Sequence, residues 1–221
     1  MKTVVQYLPV ICVIASVSFG AFDHTISNTY EYDVKLENES LLVTGGGAEL
    51  IWAKYSSYVE IENTLPLQID VGGIADLSVD DSSSLNYFGG ETDLLKVRNN
   101  ATASLRGGRI NYISSYQDAD DLVQVGWDYE NNVPIFRKHI EMIVRQWAYN
   151  SQTKVLSGVW NVDNNNDSLF DTFTIQLHNQ TGYDPVIDNI TFTIIPEPLT
   201  LLLFGMGGIL LRRKGYITRQ A

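Results

Sequence analysis

Residues 72–113 read GGIADLSVDDSSSLNYFGGETDLLKVRNNATASLRGGRINYI, and the pair Gly-Gly returns at 72, 89 and 107, at spacings of 17 and 18. Each pair is followed by two variable residues, then Asp76, Asp93 or Asn111, then Leu or Tyr. The stretch GGGAELIW, with Glu49 in the acidic position, is an earlier copy of the same unit. Apolar residues also recur at 18, at Leu41, Val59, Leu77, Leu95 and Ile113, and four of the five have a β-branched partner two residues on (Val43, Ile61, Val79, Val97). Strands too short to bury a face alone can stack coil upon coil, at about 4.8 Å per layer. Their corners then need Gly or Asn, which tolerate tight or left-handed backbone. The spacing predicts a short parallel β-solenoid with about 18 residues per coil over residues 21–117. An antiparallel meander with Gly-Gly turns is the alternative, but it gives no reason for like residues to recur at 18. The register slips between Gly47 and Gly72, where Asn63-Thr64 occupies the expected turn.

The pattern outside the repeat is also that of strands. YEYDVKL, YVEIEN, LQIDV, TFTIQL and NITFTII alternate apolar and polar residues between Gly, Asn, Asp and Ser, which marks strand and turn. The one candidate helix, RKHIEMIVRQWAY, also fits a strand through Ile140, Met142 and Val144. From about residue 118 the repeat stops and hairpins follow, with turns at 150–154 and 161–168. Residues 118–195 are therefore expected to form a small antiparallel sheet capping the solenoid, since an uncovered last coil is an exposed edge. Trp147, Tyr149 and Trp160 are expected in the core of that cap, with an aromatic sugar-stacking platform as the alternative. The fold class is all-β.

The two ends read differently from the body. MKTVVQYLPVICVIASVSFGAFD has one cation, Lys2, then an apolar run, then small residues, which is a secretory signal peptide over residues 1–20 cleaved between Gly20 and Ala21. Cys12, the only cysteine, falls inside that leader, so the exported chain has no disulfide. Residues 196–221 begin with Pro196-Glu197-Pro198, continue with thirteen uncharged residues at 199–211, and reach Arg212, Arg213 and Lys214. An apolar run followed by cations is a stop-transfer pattern, and flanking Arg and Lys with a thinned bilayer accommodate a short span. This order of parts resembles the C-terminal sorting signal of PEP-CTERM proteins, and the Gly-Gly units look like those of exported planctomycete-like members. The resemblance implies passage through the Sec translocon and signal peptidase, a transient stay in the inner membrane and processing near the motif by an exosortase. It also implies an exopolysaccharide-producing bacterial host, and it carries no molecular activity with it.

Residues 21–198 carry all 26 acidic residues but only ten of the 15 cations, a net charge of −16. A body this acidic repels phosphate backbones, which excludes nucleic acid as a partner. In DNNNDSLFD, Asp163, Asn165, Asp167 and Asp171 occupy positions 1, 3, 5 and 9 of an EF-type calcium loop, and alternating oxygens suit a hard cation. Ser168 stands where that loop needs Gly and Thr174 where it needs a bidentate Glu, so a plain hairpin turn is the preferred reading, and no cofactor other than possible calcium is expected. The three histidines are scattered without ligand spacing. Asp80-Asp81 and Asp118, Asp120 and Asp121 are the carboxylates a polysaccharide-degrading site would draw on, but they fall at expected turns. The sequence thus points to an exported, non-catalytic surface or matrix protein associated with exopolysaccharide. A carbohydrate-binding or adhesion module and a small polysaccharide-degrading enzyme are the alternatives.

Overall fold

The computed structural model describes residues 21–68, 70–116, 127–128, 133–134, 139–163, 170–179 and 185–195. They form strands β1 (His24–Glu37), β2 (Ser40–Lys54), β3 (Tyr58–Ile61), β4 (Gly73–Val79), β5 (Ser84–Tyr87), β6 (Glu91–Arg98) and β7 (Thr102–Leu105). After these come β8 (Arg109–Tyr116), β9 (Trp127–Asp128), β10 (Val133–Pro134), β11 (Ile140–Asn150), β12 (Val155–Trp160), β13 (Thr172–Leu177) and β14 (Ile190–Ile194). The candidate helix is strand β11, and the only helical element among the described residues is a 3-10 turn at Val186–Asn189.

The 18-residue period is the offset between paired parallel strands. Leu77 pairs with Leu95 and Val79 with Val97 between β4 and β6, and Leu95 pairs with Ile113 between β6 and β8. A second parallel ladder runs through β3, β5 and β7, where Val59, Leu85 and Ala103 pair in turn. The apolar residues spaced at 18 therefore belong to two columns, not one. Leu41 and Val59 lie in the ladder of β3, β5 and β7, and Ile51, Leu77, Leu95 and Ile113 in that of β4, β6 and β8. Both columns are fully buried and meet in one core.

The register slip has a simple cause. β3 and β5 are offset by 26 residues (Tyr58 to Ser84), as are β2 and β4 (Gly47 to Gly73), so eight extra residues fall between Ile61 and Gly73. Thr64 ties that insertion down, its hydroxyl accepting from the Glu91 amide at 2.8 Å. Of the repeated acidic positions, Asp93 and Asn111 do stack, with Asn111 Nδ2 donating to Asp93 at 2.7 Å, whereas Asp76 lies opposite Leu94. Two kinds of corner join the ladders. Gly46, Gly73, Gly90 and Gly108 sit at φ of 76°, 71°, 89° and 78°, and Asn38, Tyr55, Asp81 and Asn99 at 62°, 61°, 56° and 57°. Left-handed backbone strains side chains with a Cβ, so Gly and Asx dominate both columns.

The architecture corrects the expected solenoid with a separate cap. β11 pairs in parallel with β7, β13 pairs in parallel with β8, and the antiparallel β12 lies between β11 and β13. At the other end β2 pairs with both β3 and β4. Ten strands thus close into one ring, β2-β3-β5-β7-β11-β12-β13-β8-β6-β4, a β-barrel with β1 added outside β2 and β14 beside β11. The antiparallel strands β11, β12 and β13, hydrogen-bonded to both ladders, satisfy the ladders' last strands β7 and β8. Their core residue is Trp160, fully buried, packed against the tilted ring of Phe173 at 4.4 Å and donating Nε1–H to the Gly108 carbonyl at 2.9 Å. Among the described residues no helix is long and apolar enough to cross a membrane. The expected leader at 1–20, sorting motif at 196–198, span at 199–211 and basic tail lie outside the described residues.

Candidate functional site

The two ladders present the same kind of residue inward and different chemistry outward. On the outer face of β4, β6 and β8 the polar groups are committed to one another. Asp80, only 5% exposed, accepts two bonds from the Arg98 guanidinium and one from Trp52 Nε1 at 2.5 Å. Lys96 bonds Asp76, and Lys54 lies 3.4 Å above the Trp52 ring. Asp81 accepts the Tyr55 amide at 3.1 Å. The Asp80-Asp81 pair is therefore corner and ion-pair structure, and its carboxylates are held by neighbours.

The outer face of β3, β5, β7, β11 and β14 carries a groove of about 450 Å³. Pairing across those strands aligns Glu60, Asn86, Ser104, Glu141 and Thr191 in one row, one residue per strand. Beside it runs a second row, Tyr58, Ser84 and Thr102, with His139 at its end in the groove wall. These positions face outward because strand side chains alternate, and their neighbours Val59, Leu85, Ala103 and Ile140 are buried in the core.

Tyr58 closes one end of the groove. Its ring stacks on Phe22 at 5.9 Å and 20°, its hydroxyl donates to the Glu60 carboxylate, and it accepts from Asn86 Nδ2 at 2.8 Å. Partial burial, and then the bond to Glu60, raise the Tyr58 pKa above its ordinary value, so the phenol stays protonated at neutral pH. At the other end Glu141 accepts from Thr193 Oγ1 at 2.7 Å. The hydroxyls of Ser84, Thr102 and Thr191 have no side-chain partner among the described residues, and neither does Asn86 Oδ1. The groove thus offers a line of donors and acceptors with an aromatic wall, on rigid strands.

The residues singled out from sequence are distributed otherwise. Asp163 and Asp171 belong to the described residues, whereas Asn165 and Asp167 lie outside them. Asp171 is tied into the hairpin by its backbone, its amide donating to Val162 and its carbonyl accepting from Trp160. Among the described residues no three His, Cys, Asp or Glu side chains are grouped to hold a metal. Ala21, the first described residue, is exposed. The three aromatic residues expected together in the cap are separated. Trp160 is core, Tyr149 is half-buried against it, and Trp147 is 41% exposed and stacked on Phe192 at 4.0 Å. The groove itself went unread in the sequence, because its residues are ordinary Ser, Thr and Asn contributed by five separate strands. No family model matches the chain, and neither a curated protein nor a solved structure matches it.

Proposed function

We propose that this chain is an exported, non-catalytic surface or matrix protein that associates with exopolysaccharide through the groove over β3, β5, β7, β11 and β14. The observation that carries the reading is the contrast in outer faces, self-paired on one ladder and lined on the other by the hydroxyls of Ser84, Thr102 and Thr191 and by Asn86 Oδ1, which have no side-chain partner among the described residues. Sugar hydroxyls are both donors and acceptors, so a site for them needs fixed groups of both kinds and an aromatic face, rather than a strong charge. A rigid strand scaffold supplies that without ordering cost at the moment of binding. Delivery would follow the two terminal signals, with the leader cleaved at Gly20-Ala21 and the chain held at the inner membrane by residues 196–221 until an exosortase acts at Pro196-Glu197-Pro198.

The reading is tested with a glycan array probed by the protein and by the Asn86→Ala/Ser104→Ala double variant. Binding to polysaccharide that the variant loses, with an unchanged melting temperature, supports it. Binding that the variant retains in full places the contact elsewhere and removes the groove from the account. Replacing Pro196-Glu197-Pro198 by alanines should leave export intact and block maturation, and a variant that matures to the parent's mass would remove the sorting assignment.

A further inference from the structure

We infer that the groove takes an extended, neutral β-linked glycan lying across the strands, with one sugar over each of β3, β5, β7, β11 and β14. This rests on the glycan reading above and adds chemistry, direction and length to it. Direction follows from the row of paired residues, Glu60, Asn86, Ser104, Glu141 and Thr191. Neighbouring strands are about 4.8 Å apart, so five strands span about 19 Å. An extended pyranose chain advances by nearly the same step per sugar, so each ring meets an equivalent set of groups. Along a single strand the match is lost, since β3, β5 and β7 are only four residues each.

The charge decides the class of sugar. Glu141 lies in the groove wall and Glu60 bonds Tyr58 at its rim, opposed by Arg106, whose Nε donates to Ser104 Oγ at 3.5 Å, and the body as a whole is strongly acidic. Uronates, sulfated sugars and phosphates would bring like charge against both carboxylates. Hydroxyl groups meet no such penalty, and carboxylates accept their protons well. The Tyr58 ring, stacked on Phe22, sets an aromatic wall at that end of the row.

The test is a titration of the full chain with β-linked glucose and N-acetylglucosamine oligomers of two to six sugars, against oligouronates of the same lengths. Affinity for the neutral series should rise with each sugar to five and level off at six, with the uronates bound at least tenfold more weakly. Asn86→Ala should weaken every length about fivefold, as the loss of one hydrogen-bond partner does, with its melting temperature unchanged. Thr191→Val should weaken only the chains of five and six. Affinity that stops rising at the disaccharide, or uronates bound as well as neutral oligomers, would overturn the inference while leaving a sugar-binding groove. No binding to any neutral oligomer, with polysaccharide bound on the array, would overturn it too. Failure on array and titration alike would remove the glycan reading itself.

Discussion

The two parallel ladders of the barrel are alike inside and opposite outside. Inward, each stacks aliphatic residues in columns, Val59, Leu85 and Ala103 on one and Leu77, Leu95 and Ile113 on the other, all buried. Outward, β4, β6 and β8 bind Asp76 to Lys96 and Asp80 to Arg98 and Trp52, whereas on β5 and β7 the Ser84 and Thr102 hydroxyls have no side-chain partner among the described residues. A face whose polar groups satisfy one another contributes to stability and has little left for a ligand. A face with unpaired groups contributes little to stability and remains available. The contrast predicts that outward substitutions on the two ladders will change different quantities.

The inward similarity is tested by the largest changes. Leu77→Ala and Leu95→Ala should each cost about 2–5 kcal/mol by chemical denaturation, as other buried leucines do. Because the two residues are paired neighbours, the double variant should depart from the sum of the singles. Simple additivity would argue against the shared column.

Outward, Asp80→Ala should cost about 3 kcal/mol, since it removes the carboxylate that the partly buried Arg98 guanidinium and the Trp52 N–H both bond. The counterpart change on the other ladder, Asn86→Ala, should stay within about 0.5 kcal/mol of the parent. Equal costs on both faces would erase the distinction.

A smaller effect separates the ladders by pH. Tyr87, fully buried on β5, has its phenol pKa raised by desolvation, against its bond to Thr92 at 3.1 Å, which works the other way. An unfolded tyrosine loses its proton near pH 10, whereas the folded chain holds this one to higher pH. The stabilisation is therefore complete below about pH 10 and is lost as pH rises further. Tyr87→Phe should flatten that alkaline loss in melts between pH 9 and 11, while changes on the outer face of β6 leave it unaltered. The smallest change concerns a corner. Tyr55 is the one aromatic residue in the left-handed Asx column, and Tyr55→Asn should raise stability by about 1 kcal/mol or less. A loss would mean that the Tyr55 ring contributes more than its backbone strain costs.

How much of this was legible in the sequence follows from what repeats and what does not. In-register parallel strands force equivalent residues to a fixed spacing, so the pairing of Leu77 with Leu95 and of Val79 with Val97 was readable directly. The same spacing occurs in both ladders, so the sequence merged two columns into one. Only the eight-residue insertion before Gly73 separates them, and it read as a slip. Closure was not legible. β11, β12 and β13 carry ordinary alternation, and nothing local in Ile140 or Leu177 says that their partners are Ala103 and Ile113. The hairpin was recognisable as a hairpin, but its attachment to both ladders is a long-range choice. The groove was hidden for a further reason. What marks Ser84, Thr102 and Thr191 is that their hydroxyls have no side-chain partner among the described residues, a property of the folded surface and not of residue type. Asp80-Asp81, by contrast, was placed at a turn from the sequence, and its carboxylates are held by Arg98, Trp52 and the Tyr55 amide.

The measurement closest to the central claim is a calorimetric titration of a neutral β-linked pentasaccharide into three proteins. These are the parent, the Asn86→Ala/Ser104→Ala variant of the open face and the Asp76→Ala/Lys96→Ala variant of the self-paired face. The account predicts that the first variant melts like the parent and binds at least tenfold more weakly. The second should bind like the parent, whatever happens to its melting temperature. Full binding by the open-face variant together with loss in the self-paired-face variant would contradict the account.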